Sequence, residues 1–193
     1  MDMFAKAFDH TLGIEGFDKY TNDPRDSGGP TRYGMTERVA RAEGYTGDMR
    51  ELPLAFVMAV ARRKYWDRVA GDEVAVLSPN IACELFDTAY NMGPDRAAFM
   101  LQRALNCFNN SQRPNPPGPD YPDLRADGEI GPQTVSALRS YLKKRGAKGE
   151  AVMLECLNSQ QCDGYLDIAT ARTKDEAFVY GQILQRVVKR LVV

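Results

Sequence analysis

A glutamate that must give a proton to a leaving oxygen near neutral pH needs apolar surroundings, because desolvation disfavours its charged form and raises its pKa. Glu15 has that placement. It follows Phe8 by seven residues and Leu12 by three, so on a helix the three share one face. The segment after it, Asn22-Asp23-Pro24-Arg25-Asp26-Ser27-Gly28-Gly29-Pro30-Thr31-Arg32-Tyr33-Gly34, is crowded with oxygen-bearing side chains and turn formers. A second carboxylate in a wetter setting stays ionised, and either activates water or stabilises positive charge on a sugar ring. Asp18, Asp23 and Asp26 are candidates for that role. Asp26, between the turn-forming Pro24 and the glycine pair, is best placed to fold back over the helix end. Thr31 is positioned to orient a water, and Gly28, Gly29 and Gly34 let backbone approach a bulky polymer closely.

The same residues also have plainer uses. A Glu at a helix end followed by Asp and Gly is commonly a turn, and Asn22-Asp23-Pro24 is turn chemistry in its own right. The aspartates do not follow the alternating-oxygen pattern of a calcium loop. His10 is the single histidine, which excludes chemistry needing two. Cys83, Cys107, Cys156 and Cys162 follow no metal spacing, and Cys83 reads as a buried free thiol in a helix. Cys156 and Cys162 would close a short loop only in oxidising surroundings. Neither a metal nor a cofactor is expected.

The elements that must hold this segment are mostly helices. Phe4, Phe8, Leu12 and Glu15 predict a helix over 3–15 that stops at Gly16. Thr36 is a good N-cap for a helix ending near Gly44. Pro53 opens a long helix through Trp66, with Leu54, Val57, Met58, Ala61 and Tyr65 at core spacing. Ser78-Pro79 opens another, carrying Ile81, Leu85, Phe86, Ala89 and Tyr90, which Gly93-Pro94 ends. Asp95 caps the next, which runs to about Phe108. Asn109–Arg125 contains five prolines (114, 116, 117, 119 and 122) and marks a boundary or a surface rim. Asp127-Gly128 turns into a helix from Pro132 with Val135, Leu138 and Leu142. Further helices are expected over Glu150–Asn158, over Tyr165–Thr170, and from about Asp175, the last with Tyr180, Leu184, Val187 and Leu191 facing the core. Strand signals reduce to one short hairpin between Phe17 and Met35, turned at Gly28-Gly29. The fold class is therefore mainly α. Tyr65 and Trp66 read as packing residues. Tyr33 reads as a cleft-lining residue, and Tyr90 and Asn91 as candidate substrate contacts at the end of a central helix.

The 193 residues suffice for one compact domain, or for one with a smaller partner. A net charge of −1 gives no reason to expect a nucleic-acid partner. The first hundred residues carry 12 basic and 16 acidic side chains, the rest 13 and 10, with the basic excess in Arg139–Lys148 and in Arg186, Lys189 and Arg190. Such a surface suits a solvated helix face or an anionic polymer. No apolar run approaches the roughly 18 residues of a membrane span. The start, MDMFAKAFDHTL, is not a signal peptide. The expectation is a protein made in the cytoplasm that reaches any external target by another route.

The block Asn22-Asp23-Pro24-x-Asp26-x-Gly28-Gly29-x-Thr31-x-Tyr33-Gly34-x-Thr36, preceded by Glu15-Gly16, resembles the signature of glycoside hydrolase family 108, N-acetylmuramidases found among phage endolysins and secretion-associated lysozymes. The likeness continues through Tyr65-Trp66-Asp67, Gly71-Asp72, Leu85-Phe86-Asp87, Asn91-x-Gly93-Pro94 and Leu101-Gln102-Arg103-Ala104-Leu105. Asp127-Gly128-x-Ile130-Gly131-Pro132-x-Thr134 is similar to the start of the family's C-terminal peptidoglycan-binding region. The resemblance implies a lysozyme-like catalytic region over 1–108 and a helical peptidoglycan-binding region over 109–193, packed as one body. It implies Glu15 as catalytic acid. By analogy with phage lysozymes, Asp26 and Thr31 complete the set, with Asp23, Tyr33, Tyr90 and Asn91 in contact with the glycan.

Two departures stand out. The family usually runs Glu-Gly-Gly-Tyr directly into Asn-Asp-Pro, whereas here Phe17 replaces the second glycine and two residues are added, so the second carboxylate stays open among Asp18, Asp23 and Asp26. Tyr180-Gly181-Gln182 stands where relatives often have Gly-Trp. The function expected is cleavage of the β-1,4 bond between N-acetylmuramic acid and N-acetylglucosamine by a monomeric phage endolysin. It would be made in the host cytoplasm, released by a holin, and would act on the periplasmic wall. A lytic transglycosylase and a non-catalytic wall-binding or virion module are the alternatives.

Overall fold

Phe4, Ala7, Phe8, Thr11 and Leu12 recur at helical spacing, and all five are buried on one face of α1 (Met3–Glu15). Asp2 caps it by accepting from the Phe4 amide at 3.2 Å. The computed structural model describes residues 2–15, 18–23, 29–109 and 118–188. After α1 comes a small antiparallel sheet in the order β1 (Tyr20–Thr21), β2 (Thr31–Arg32), β3 (Met35–Thr36). The predicted single hairpin is thus a three-stranded sheet. The second turn, between β2 and β3, is Tyr33-Gly34, with both residues at positive φ (53° and 69°) as a two-residue type I′ turn requires. Gly29, at φ 77°, sits in the β1–β2 connection, and Gly28 lies outside the described residues.

Thr36 then caps α2 (Glu37–Ala42), its hydroxyl accepting from the Val39 amide at 3.4 Å. Pro53 proves to be the N-cap residue of α3 (Leu54–Ala61), and the α-helix does not run on to Trp66. It widens into a π turn over Arg62–Trp66, then tightens into a 3₁₀ turn over Asp67–Val69. The cause lies in the seat of the Trp66 indole. The ring is fully buried between Phe4 and Phe86, at 5.9 Å from each, and donates to Asp72 at 2.9 Å. It lies so flat on Gly71 that a Cβ there would come within 2.3 Å of it. The extra residue of a π turn shifts the ring to that seat. Gly71 also begins α4 (Gly71–Leu77), a short helix the sequence pattern does not announce.

α5 (Pro79–Met92) is the axis of the molecule. Ser78 caps it, accepting from the Ile81 amide at 3.0 Å, and Pro79 fits its first position. Ile81, Ala82, Glu84, Leu85, Phe86, Asp87, Thr88 and Ala89 are all buried, because α1, α4, α6 (Pro94–Phe108) and α7 (Pro132–Ala171) surround it. Asp95 does not cap α6. Gly93 holds that place, and Asp95 pairs with Arg68 at 2.9 Å.

The described end of the proline-rich loop is fastened to α6. Asn109 donates to the Tyr121 carbonyl at 2.7 Å, and the Tyr121 hydroxyl to the Leu105 carbonyl at 2.7 Å. Gln102, buried on α6, organises the Asp127-Gly128 turn. Its amide nitrogen reaches Asp127 Oδ1 and the Glu129 carbonyl at 2.9 Å each, and its oxygen accepts from the Gly128 amide at 3.0 Å.

α7 is interrupted at Gly146, whose φ 58° and ψ −149° are not helical, and runs unbroken beyond it, so the two helices expected over 150–158 and 165–170 are one. The polar run between them stays helical because its side chains have helix-side work. Gln161 bonds to Asp87 at 3.0 Å, and Gly164 lets Met92 approach closely. α8 (Glu176–Arg186) turns the other way from expectation. Tyr180 is 77% and Leu184 44% exposed, while Arg186 is buried against Asp87 of α5. Leu191 lies outside the described residues. The four cysteines are free.

Gln102→Ala removes the acceptor for a buried amide and the donor to the turn. Its expected cost is about 3 kcal/mol in a urea unfolding titration, from losing hydrogen bonds that leave buried groups unsatisfied.

Candidate active site

Three elements meet at the end of α1. Leu12, fully buried in the last full turn before Glu15, packs against the β2–β3 turn, with its Cδ2 3.8 Å from where a Cβ on Gly34 would sit. Tyr90, near the end of α5, closes the corner from the other side. Its hydroxyl donates to the Tyr33 carbonyl at 2.9 Å, and its ring edge comes within 3.0 Å of the same Gly34 position. Only glycine fits there, for both contact and φ. Tyr90 is itself wedged by Phe8 (6.5 Å, edge-on) and Tyr65 (5.0 Å, edge-on). Burial pushes the Tyr65 phenol up from its ordinary pKa, so it stays a neutral hydroxyl.

Tyr33 is the strained residue of the corner. A bulky side chain at φ 53° is costly, and such strain persists where its surroundings over-determine it. Here the Tyr90 bond fixes its carbonyl, and the Arg32 guanidinium lies over its ring at 4.9 Å. Arg32 also donates to the Arg50 carbonyl and pairs with Asp18 at 2.8 Å. That hydrogen bond from Arg32 holds the exposed Asp18 carboxyl below its usual pKa. Asp18, one of the three possible second carboxylates, is therefore an ionised group paired with Arg32 of β2 just ahead of β1. Arg32 and Arg50 escape sequence reading because their roles follow from strand register, Tyr20 facing Arg32, and not from spacing.

The remaining site candidates fall as follows. Glu15 is the last residue of α1; its side chain and the whole of Asp26 lie outside the described residues. Thr31, in β2, donates its hydroxyl to the Gly29 carbonyl at 3.1 Å. Asp23 is half-buried just after β1. Asn91 is half-buried one residue beyond Tyr90, its amide donating to the Asp87 carbonyl at 2.7 Å. The structure thus brings Tyr33, Gly34 and Tyr90 against the last turns of α1, whereas Trp66 is core. Among the described residues no group of three or more His, Cys, Asp or Glu could hold a metal ion.

A mainly helical body whose first helix ends in an acid beside a short antiparallel sheet belongs to the lysozyme-like class. Residues 8–93 match the family model for glycosyl hydrolase 108, and residues 96–187 match that for a predicted peptidoglycan domain. The chain belongs to the glycosyl hydrolase 108 family and carries the peptidoglycan domain behind it. It is accordingly a glycosidase of the kind that acts on peptidoglycan. Among solved structures, that of Brucella abortus SagA is similar, with 25% identity and a TM-score of 0.64 over 98% of this chain and 93% of that one. No protein of curated function matches the chain.

Two measurements test this corner. Gly34→Ala adds the strain of a positive φ and a contact with Tyr90, so it should destabilise the protein by about 1–3 kcal/mol. Gly44→Ala, also at positive φ (92°) but with open space around it, should cost less; equal losses would mean that Tyr90 does not press on the turn. The Asp18–Arg32 pair should stabilise the sheet above the ordinary carboxylate pKa of about 3.9 and fade as pH falls through the lowered folded value. The difference in melting temperature between wild type and Asp18→Asn should therefore be present at neutral pH and vanish in strong acid.

Proposed function

We propose that this chain hydrolyses the β-1,4 bond between N-acetylmuramic acid and N-acetylglucosamine, with Glu15 as the general acid. The observation that supports this most is the contact of Leu12, Gly34 and Tyr90, which puts the last turn of α1 against the turn that follows Thr31. A proton from Glu15 to the glycosidic oxygen lets the bond break with positive charge developing on the ring, and a water then completes the sugar. Asp26 is the preferred ionised partner. Thr31 suits the water: a hydroxyl has one proton and two lone pairs, and its proton is directed to the Gly29 carbonyl, which leaves the oxygen free to accept from a water. Asp23, Tyr33, Tyr90 and Asn91 would line the glycan path, and no metal or cofactor takes part.

In this reading residues 1–108 cut and residues 109–193 hold the wall. The protein works as a monomeric phage endolysin, released through a holin to the periplasmic peptidoglycan. The natural alternative is a transglycosylase, in which the substrate's own hydroxyl closes the ring.

The test is digestion of purified peptidoglycan with wild type and Glu15→Gln, followed by reducing-end analysis. Wild type should release N-acetylmuramic acid reducing ends, and Glu15→Gln should be slower by a factor of about 10²–10⁴, the usual worth of a positioned acid. Anhydro sugar ends would make it a transglycosylase. Equal rates would remove Glu15 from the mechanism, and absence of cleavage by either would leave a wall-binding module.

A further inference from the structure

A second place on the molecule has the makings of a ligand site, and it lies between two helices of the peptidoglycan domain. α6 and α7 run side by side with matching stripes at helical spacing, Arg96, Phe99, Met100 and Arg103 on one and Gln160, Asp163, Gly164 and Asp167 on the other. Between them is an open groove of about 130 Å³, the size for one amino-acid head group and not for a sugar chain. Gly164 makes its floor, where a Cβ would lie 3.1 Å from Met92 Sδ and 3.7 Å from the Arg96 guanidinium carbon.

Two of the charges in this groove are close but unspent, and two more are only loosely paired. Arg103 and Asp163 both line it, and neither forms an ion pair with another described residue. Arg96 and Asp167 approach only to 3.8 Å, too long for a hydrogen-bonded pair. Gln160 donates to the Met100 carbonyl at 3.2 Å and so ties α7 to α6 along the groove. Phe99 is 43% exposed beside them. A ligand that satisfies such a groove needs a carboxylate for the arginines, an ammonium for the aspartates, and a short apolar stem for Phe99.

Resting on the reading that this chain acts on peptidoglycan, we infer that the α6–α7 groove binds the zwitterionic side-chain end of a diaminopimelate residue in the peptide stems of the wall. The N-acetylated glycan has no ammonium group. An uncrosslinked diaminopimelate carries an ammonium and a carboxylate on one carbon at the end of a three-methylene stem. A lysine stem has the ammonium without that carboxylate. The groove thus reads the peptide while the end of α1 works on the sugar, and wall with free diaminopimelate ends is retained in preference to wall with lysine.

Isothermal titration of the full-length protein with two glycan-free tripeptides tests this, L-Ala–γ-D-Glu–meso-diaminopimelate and the same peptide ending in L-lysine. The diaminopimelate peptide should bind at least tenfold more tightly than the lysine peptide. Arg103→Ala should abolish that preference, and Asp163→Ala should weaken both peptides tenfold or more. Both substituted residues are exposed and make no ion pair with a described residue, and a melting curve for each variant checks that it is folded. Equal affinity for the two peptides, affinities unchanged by both substitutions, or no binding at millimolar peptide would each overturn the inference. Because neither peptide contains a glycosidic bond, failure here would leave the Glu15 chemistry untouched, and loss of Glu15 chemistry would leave this binding intact.

Discussion

The Tyr90 hydroxyl holds the Tyr33 carbonyl, and the Tyr90 ring holds the turn that Gly34 makes possible. Without that clamp a three-stranded sheet with two residues in each strand has little to keep it in place, since its strands are far shorter than those that pair stably by themselves. With it, the turn lies against Leu12 and hence against the end of α1. The geometry of the candidate site is thus set by a side chain far away in sequence, on a helix that is otherwise core.

That helix is fixed along its whole length. Ser78 and Pro79 define its start, Phe86 packs against Phe4, Phe8 and Trp66, and Asp87 is locked by Arg186 and Gln161. A buried carboxylate loses its hydration and is tolerable only with a charge-assisted partner and further hydrogen bonds, all of which Asp87 has. Asp87 precedes Tyr90 by one turn. The anchor of the C-terminal helix and the clamp of the hairpin therefore sit on neighbouring turns of one rod, which joins the peptidoglycan domain mechanically to the end of α1.

Features governed by neighbours in sequence could be read from the sequence. The Thr36 and Ser78 caps, the break at Gly93-Pro94 and the start of α7 at Pro132 are all local chemistry, and the burial of Phe4, Phe8 and Leu12 follows from spacing. Features governed by distant partners could not. The π turn exists because Gly71 offers a flat seat to Trp66, and nothing in Arg62–Trp66 says so. α8 has apolar residues at core spacing, yet it buries Arg186, because its partner is a carboxylate on α5. Asp18 pairs with Arg32, fourteen residues on, a partner that no local spacing announces. In the site itself, spacing put Glu15 at a helix end and Tyr90 at the end of a central helix, but not the hydrogen bond that makes Tyr90 the clamp.

The most direct measurement is a crystal structure of Glu15→Gln soaked with a glycan fragment of alternating N-acetylglucosamine and N-acetylmuramic acid. The account predicts the chain lying across the Tyr33-Gly34 turn, with a bridging oxygen about 3 Å from the side-chain amide of residue 15, within reach for proton transfer. A glycan bound in order elsewhere on the protein, with its bridging oxygens remote from the end of α1, would contradict it.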